Sequence, residues 1–400
     1  MTPVSVDEAR ASVREHAPQA RPTRVTLDKA FGHILFEAVI AKRDQPPFDA
    51  AAMDGYALMA PMHDGERLSV LGESKAGRAF NGALKDGAAV RVFTGAPLPA
   101  ATTRVIMQEE VERQGDTIRP RADATPGAKP HIRPRGSDFR AGDVLLQSGD
   151  RMSAWRLALA AAGGAARLTV ARQPKVAFVC TGDELVPPGK ALRVDQTHES
   201  NSVALTALAR QWGAAVLVAR RVRDDSTALT AALRDARADI LVTIGGASVG
   251  DYDLVRPALD VLNVRWLFDQ VNIKPGKPTA FGILGDGRRV LCLPGNPGSA
   301  LICAQLFLKP LIEAASGAQV AENVRALPCA TGLPANGPRE AFLRAVILTG
   351  ADGMPLLLPL SDQDSAQLHG FAVTSALIRR RVGAPAAAPG VVCECCLCDI

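Results

Sequence analysis

Residues 175–185 read KVAFVCTGDEL, residues 240–253 read ILVTIGGASVGDYD and residues 290–299 read VLCLPGNPGS. Each is a short run of apolar, largely branched residues that stops at glycine, twice with carboxylates close behind. Strands that are apolar on both faces suit a parallel sheet covered on both sides. Helical patterns lie between them, at 201–212 (opened by Ser200-Asn201, closed by Gly213), at 226–237 and at about 252–262. Further strands are expected at 215–219 and 264–268, and 281–284 should pair with 290–293 as a hairpin across Gly285-Asp286-Gly287. Helix 298–315 closes the run. Strand–helix alternation of this kind predicts an α/β domain with a parallel sheet over residues 173–318.

On the N-terminal side the pattern differs. Residues 6–43 hold two helical patterns, one from Val6 and one through 27–38, before the breaker Gln45-Pro46-Pro47. From Phe48 to about Arg140 short strands and turns take over, with extended runs at 90–93 and 104–111. SAWRLALAAAG at 153–163 is a helix with a Ser N-cap and a Gly stop. It returns the chain to the first segment. The expected organisation is therefore 1–45 plus 141–172 as a discontinuous elongated domain and 46–140 as a small β-rich domain. The α/β domain follows, then a C-terminal β domain over 319–390 and a Cys-rich tail over 391–400. The fold class is multidomain α/β plus β.

Composition limits what such a chain does. Hydrophobic residues are 47% and charged residues 22% of the 400, which excludes a disordered chain. No run reaches the roughly 18 apolar residues of a membrane span, and residues 1–10 do not read as a signal peptide, so a cytoplasmic protein with no membrane partner is expected. Lys+Arg number 46 against 41 Asp+Glu, for a net charge of +5, and aromatic residues are only 4%. Nucleic-acid binders carry a larger basic excess and stacking aromatics. Ten of the basic residues are Lys, so Arg predominates, which favours small oxyanions as ligands. Four of the eight Cys are scattered in apolar stretches, and four crowd into Cys393, Cys395, Cys396 and Cys398. Their interleaved C-x-x-C spacings are too close to wrap a tetrahedral ion alone, so the segment reads as an unstructured thiol tail. The six His show no ligand spacing.

In open α/β sheets ligands sit beyond the carboxyl ends of the strands, and the glycine loops fall there. Gly245-Gly246-x-Ser248-x-Gly250 lets a backbone approach a phosphate and aim its N–H groups at it. Pro294-Gly295-Asn296-Pro297 puts unpaired N–H groups and a positive dipole end at the same mouth. Glu184, Asp251 and Asp253, with Asp224 or Asp225 beyond strand 215–219, are hard oxygen ligands of the kind that share Mg²⁺ with a phosphate. Lys274 and Lys277, in KPGKP at 274–278, can neutralise the anion.

With these stretches go FDAAAMDGYA at 48–57, TGAP at 94–97 and RPRGSD at 133–138. Together, in order from about residue 4 to 312, they resemble the molybdopterin molybdenumtransferase family (bacterial MoeA and the gephyrin E domain). The resemblance implies a four-domain elongated homodimer whose α/β domain is of the molybdopterin-binding type. It implies insertion of molybdate into adenylyl-molybdopterin, giving molybdenum cofactor and AMP, with Mg²⁺. By position it implies catalytic roles for Asp54 and Thr94, supplied across the dimer, and for Glu184, Asp253 and Lys274. Substrate would meet Arg133, Asp138, Gly245, Gly246, Ser248, Gly250, Lys277, Pro294, Gly295, Asn296, Pro297, Arg344 and Ser365, and the metal would meet Glu184, Asp225, Asp251 and Asp253. A molybdopterin adenylyltransferase and acceptor molybdoenzymes are the implied partners. Gln270 stands where the family often has a Lys, so one cation of the pattern is absent. The alternatives are an adenylyltransferase acting on molybdopterin and ATP, and a non-catalytic scaffold of the gephyrin E type.

Overall fold

Six strands form the sheet of the α/β unit, in the order Ala215–Val222, Lys175–Thr181, Ile240–Ile244, Arg289–Leu293, Ala280–Ile283 and Arg265–Phe268. This computed structural model describes residues 2–63, 65–121, 129–246, 254–318 and 323–398. The first four strands are parallel, whereas Ala280–Ile283 runs antiparallel to both of its neighbours. The sheet is thus parallel over four strands, as expected, and the expected hairpin adds its antiparallel edge. The cause is the tight return after Ile283, closed by Leu284 O accepting from Gly287 N at 2.8 Å, because a hairpin can only join antiparallel strands.

Successive residues of a strand point to opposite faces, and the two cores follow from that. Val176, Phe178, Val242, Phe281 and Leu291 pack on one side. Ala177, Val179 and Leu241 pack on the other against Leu229, Leu233 and Leu259 of the covering helices. Each fully buried Leu, Val or Phe contributes about 1.5–3 kcal/mol. The helix Val6–Glu15 places Val6, Ala9 and Val13 in the first of these cores. By packing it belongs to the α/β unit, not to the elongated segment that follows it. Its start is fixed by a capping box in which Ser5 Oγ accepts from Glu8 N and Glu8 accepts from Ser5 N at 2.7 Å.

The second helical pattern does not form a helix. Only the single turn Leu27–Lys29 is helical. Gly32 has φ +76°, and Ile34 and Leu35 instead pair with Arg151 and Val170. The strands Pro22–Thr26 and Arg167–Ala171 pair antiparallel, as do Val39–Ile40 and Val144–Leu146. A separate six-stranded sheet holds Arg104–Met107, Gly55–Leu58, Ala88–Val92, Leu68–Ser74, Thr117–Pro120 and Val111–Gln114, in that order.

The C-terminal sheet contains a second departure. Its order is Ile273–Lys274, Glu340–Thr349, Ala376–Arg380, Val392–Leu397 and Val324–Pro328, with Pro355–Pro359 also on Glu340–Thr349. The Cys-rich stretch is thus no tail. Cys393 and Cys395 face one core with Cys329, while Cys396 faces the α/β core. The alternating thiols satisfy a strand's two-sided burial as small apolar side chains do. Among the described residues no group of three or more His, Cys, Asp or Glu could hold a metal ion. Arg379, buried between the sheet and the first helix, pairs with Glu340, Asp7 and Glu394. Burial works against its charge, and the carboxylates of Glu340 and Asp7 overcome that cost and hold its pKa above the ordinary value. The helical run Pro297–Ala315 is long and apolar enough to cross a membrane by composition, but 72% of it is buried inside the protein. It serves as a core element with a π turn at Ala304–Leu308.

Candidate active site

Beyond the carboxyl ends of the parallel strands lies a cleft of about 860 Å³. Its floor is glycine backbone. Gly245 and Gly246 follow strand Ile240–Ile244 with φ +81° and +64°. A Cβ on Gly245 would stand 3.0 Å from the Thr181 carbonyl, and one on Gly246 would stand 2.6 Å from Thr181 Oγ1 and 2.7 Å from Val255. Only glycine meets both the left-handed backbone and the space. Gly295 closes against Gly245, its Cβ position 3.4 Å from the Gly245 Cα, so two strand-end loops touch backbone to backbone. Among the described residues the N–H groups of Gly246, Gly295 and Asn296 have no recorded acceptor. These unpaired donors at the mouth of helix Pro297–Cys303 make the surface suited to an anion.

Carboxylates line the adjoining wall. Glu184 lies in the cleft, its backbone carbonyl accepting from Thr197 N at 2.9 Å as Leu185–Val186 pairs with Thr197–His198. Asp224 also lines the cleft, and its N–H and carboxylate answer those of Asp183 at 3.4 Å each. Asp225 is placed otherwise: its side chain accepts from Ala228 N at 2.6 Å and caps helix Ser226–Asp235. Of the acidic pair it is Asp224, not Asp225, that reaches the cavity, since a helix start draws the second carboxylate to its free N–H groups. Ser248, Gly250, Asp251 and Asp253 lie outside the described residues.

Asn201 and Glu199 are cleft residues that sequence reasoning did not single out as a site. Asn201 Nδ2 donates to Gly295 O at 2.8 Å and ties the first covering helix to the Pro-Gly-Asn-Pro loop. The expected Ser200 cap makes no side-chain bond. Glu199, 8% exposed, accepts from Ser202 N at 2.8 Å and takes that role. Behind it, burial and the Glu199 charge push the Cys180 thiol up to about 12. The Ser200-Asn201 helix-start signal concealed both residues, because capping and cleft lining call for the same residue types.

The remaining candidates divide by location. Lys274 and Lys277 are exposed on the loop whose Pro278 lines the cleft, but neither forms part of the lining. Gly276 in that loop is sterically required, for a Cβ would fall 2.2 Å from Cys303 Sγ. Ser365 bonds the Asn296 amide at 3.2 Å and accepts from Gly298 N at 2.8 Å, which brings Ala366 and Leu368 into the cleft wall. Arg344, expected on the substrate, is 2% exposed. Its guanidinium donates to the carbonyls of Gln367, Asp362 and Asp364 at 2.7, 2.9 and 3.0 Å. It therefore holds the Ser365 loop in place and does not reach the cavity, since a buried guanidinium must spend its donors on nearby carbonyls.

Asp54 and Thr94 meet in the second sheet, away from this cleft, none of whose lining residues falls within 46–140. Thr94 donates to Asp54 Oδ1 from its N–H at 2.8 Å and from its hydroxyl at 2.7 Å. Those two bonds, the backbone one foremost, hold the carboxyl below its ordinary pKa, with Arg91 adding attraction. Gly55 beside it is confined by pairing, because a Cβ would lie 1.8 Å from Ile106 O. Arg133 and Asp138 are exposed on the linking segment. There Arg135, not Arg133, forms the ion pair, with Asp44 at 2.6 Å.

Residues 4–164 match the family described as MoeA N-terminal region (domain I and II), and residues 177–314 match the one described as Probable molybdopterin binding domain. The chain is 36% identical over 326 residues to a molybdopterin molybdenumtransferase 2 of Mycobacterium tuberculosis, covering 78% of this chain and 80% of that one. It is 35% identical over 319 residues to a molybdopterin molybdenumtransferase of Haemophilus influenzae, covering 78% of each. The crystal structure of a molybdopterin biosynthesis MoeA protein from Pyrococcus horikoshii superposes with a TM-score of 0.82 at 26% identity, over 99% of this chain and all of that one. The chain belongs to the molybdopterin molybdenumtransferase family.

Proposed function

We propose that this protein converts adenylyl-molybdopterin and molybdate into molybdenum cofactor and AMP. It is a transferase of molybdenum cofactor biosynthesis, the activity that its relatives' names carry. The observation that carries the finer reading is the convergence in one cleft of unpaired N–H groups from Gly246, Gly295 and Asn296 with the carboxylates of Glu184 and Asp224. The N–H groups would receive the phosphate oxygens, and a low-dielectric wall strengthens that hold. Lys274 and Lys277, on the next loop, would attract the molybdate dianion.

The donor set fits magnesium, which takes one or two protein carboxylates and fills its shell with phosphate oxygens and water. Glu184 and Asp224 would hold it. When bound, the ion would draw charge from phosphorus and so ease attack by a water oxygen, which forms the new P–O bond as the phosphoanhydride between AMP and the pterin's phosphate breaks and AMP leaves. The glycine N–H groups would keep the leaving phosphate in place. Asp54 and Thr94 would come from a second copy of the chain and complete the cleft, with Arg133 and Asp138 on the segment that carries them across. We place the enzyme in the cytoplasm, where it would receive its substrate from a molybdopterin adenylyltransferase and pass its product to acceptor molybdoenzymes.

The test supplies purified protein with adenylyl-molybdopterin, molybdate and magnesium, and follows AMP release and activation of an apo-molybdoenzyme. One AMP per cofactor formed is expected. Glu184→Ala should slow the reaction by about 100-fold. ATP and free molybdopterin should give nothing. Turnover from ATP, or an unimpaired Glu184→Ala, would overturn the reading.

A further inference from the structure

The Thr181 side chain is 5% exposed, lies at the end of strand Lys175–Thr181 and lines the cleft. Its Oγ1 is buried and has no hydrogen-bond partner. Such a group is costly, because the hydroxyl has lost water and gained nothing in exchange. Valine has the same shape, favours strands and would carry no such penalty. The hydroxyl faces the Gly245-Gly246 turn: it is the atom nearest to a Cβ built on Gly246, and it lies 3.6 Å from one built on Gly245. The Gly246 N–H at the same turn has no recorded acceptor among the described residues. Two donors, one hydroxyl and one amide, thus stand together unpaired at the glycine floor.

We propose that Thr181 is a substrate-binding residue whose hydroxyl, beside the Gly246 N–H, donates to the adenylyl phosphate. This rests on the function proposed above and assigns the phosphate its place within the cleft. A phosphate oxygen has lone pairs for both donors, and a charged acceptor makes the stronger bond. The carbonyl of Thr181 lies 3.0 Å from where a Gly245 Cβ would stand, so the strand end and the turn are closely packed. The hydroxyl hydrogen is free to rotate about the C–O bond, and the glycine turn packed over the oxygen must yield for a phosphate oxygen to reach it.

The test compares wild type, Thr181→Val, Thr181→Ser and Thr181→Ala in thermal melts and in calorimetric binding of AMP and adenosine. The melting temperature of Thr181→Val should equal or exceed wild type. Its Kd for AMP should rise about 5- to 50-fold, with adenosine binding unchanged. Thr181→Ser should recover AMP affinity to within about threefold of wild type, and Thr181→Ala should reproduce the AMP loss if the Val variant does not fold. Unchanged AMP affinity in the folded variants, or an equal loss for AMP and adenosine, overturns the assignment while leaving the cleft's function standing. Failure of wild type to bind AMP at all would overturn both.

Discussion

Asp54 shows how two hydrogen bonds set a charge. Its side chain is half-buried and desolvation opposes the shift, so the lowering comes chiefly from the Thr94 N–H and then the Thr94 hydroxyl. A carboxyl lowered on folding adds stability that is complete above its unfolded value. That stability is lost as pH falls through the lower folded value. Thr94→Val removes the hydroxyl and keeps the N–H. The Asp54 midpoint, followed by NMR titration, should therefore rise part of the way toward the ordinary carboxylate value of about 3.9. A midpoint unmoved by the substitution would mean that the hydroxyl bond has no weight. Cys180 illustrates the opposite shift. With its thiol pushed up to about 12 it stays protonated at neutral pH, which leaves it a core residue and no nucleophile.

At the scale of elements, the segment from Val392 to Leu397 decides the integrity of the last sheet. It is hydrogen-bonded on both sides, to Ala376–Arg380 and to Val324–Pro328, and Cys395 is fully buried. Removing residues 392–400 should therefore lower the melting temperature by about 5 °C or more, read by circular dichroism. An unchanged melt would show the strand to be dispensable. The central α/β strands were legible because each is a run of apolar residues ended by glycine, and Ile240–Ile244 was bounded as expected. The Cys-rich strand was not legible, since clustered cysteines resemble a ligand set or a tail more than a buried ladder. Residues 27–38 carry a helical period, but Ile34 and Leu35 found backbone partners at Arg151 and Val170, and tertiary pairing prevailed over local preference. The site was legible in part. Glycine loops and Glu184 announce themselves by position, whereas Arg344 shows its role only once the carbonyls of Asp362, Asp364 and Gln367 are seen around it.

Over the whole molecule, the separation of Asp54 from the cleft calls for a test that uses two chains at once. If the cleft of one copy is completed by the second sheet of another, a twofold dimer has two such composite sites. Asp54→Ala and Glu184→Ala homodimers should each be inactive. Their statistical mixture should regain about a quarter of wild-type turnover, since half the dimers then carry one intact site. No recovery on mixing would place Asp54 and Glu184 in the same chain's site or in none. The lobes within a chain are bound more closely than their sequence order suggests. The pair Ile273–Lys274 belongs to the α/β stretch, yet its backbone pairs in parallel with Glu340 and Ala341 of the C-terminal sheet. Any tilt of that sheet must then carry the Lys274 backbone along with it, as a crank follows its shaft. The root of this cation is thereby geared to the far lobe.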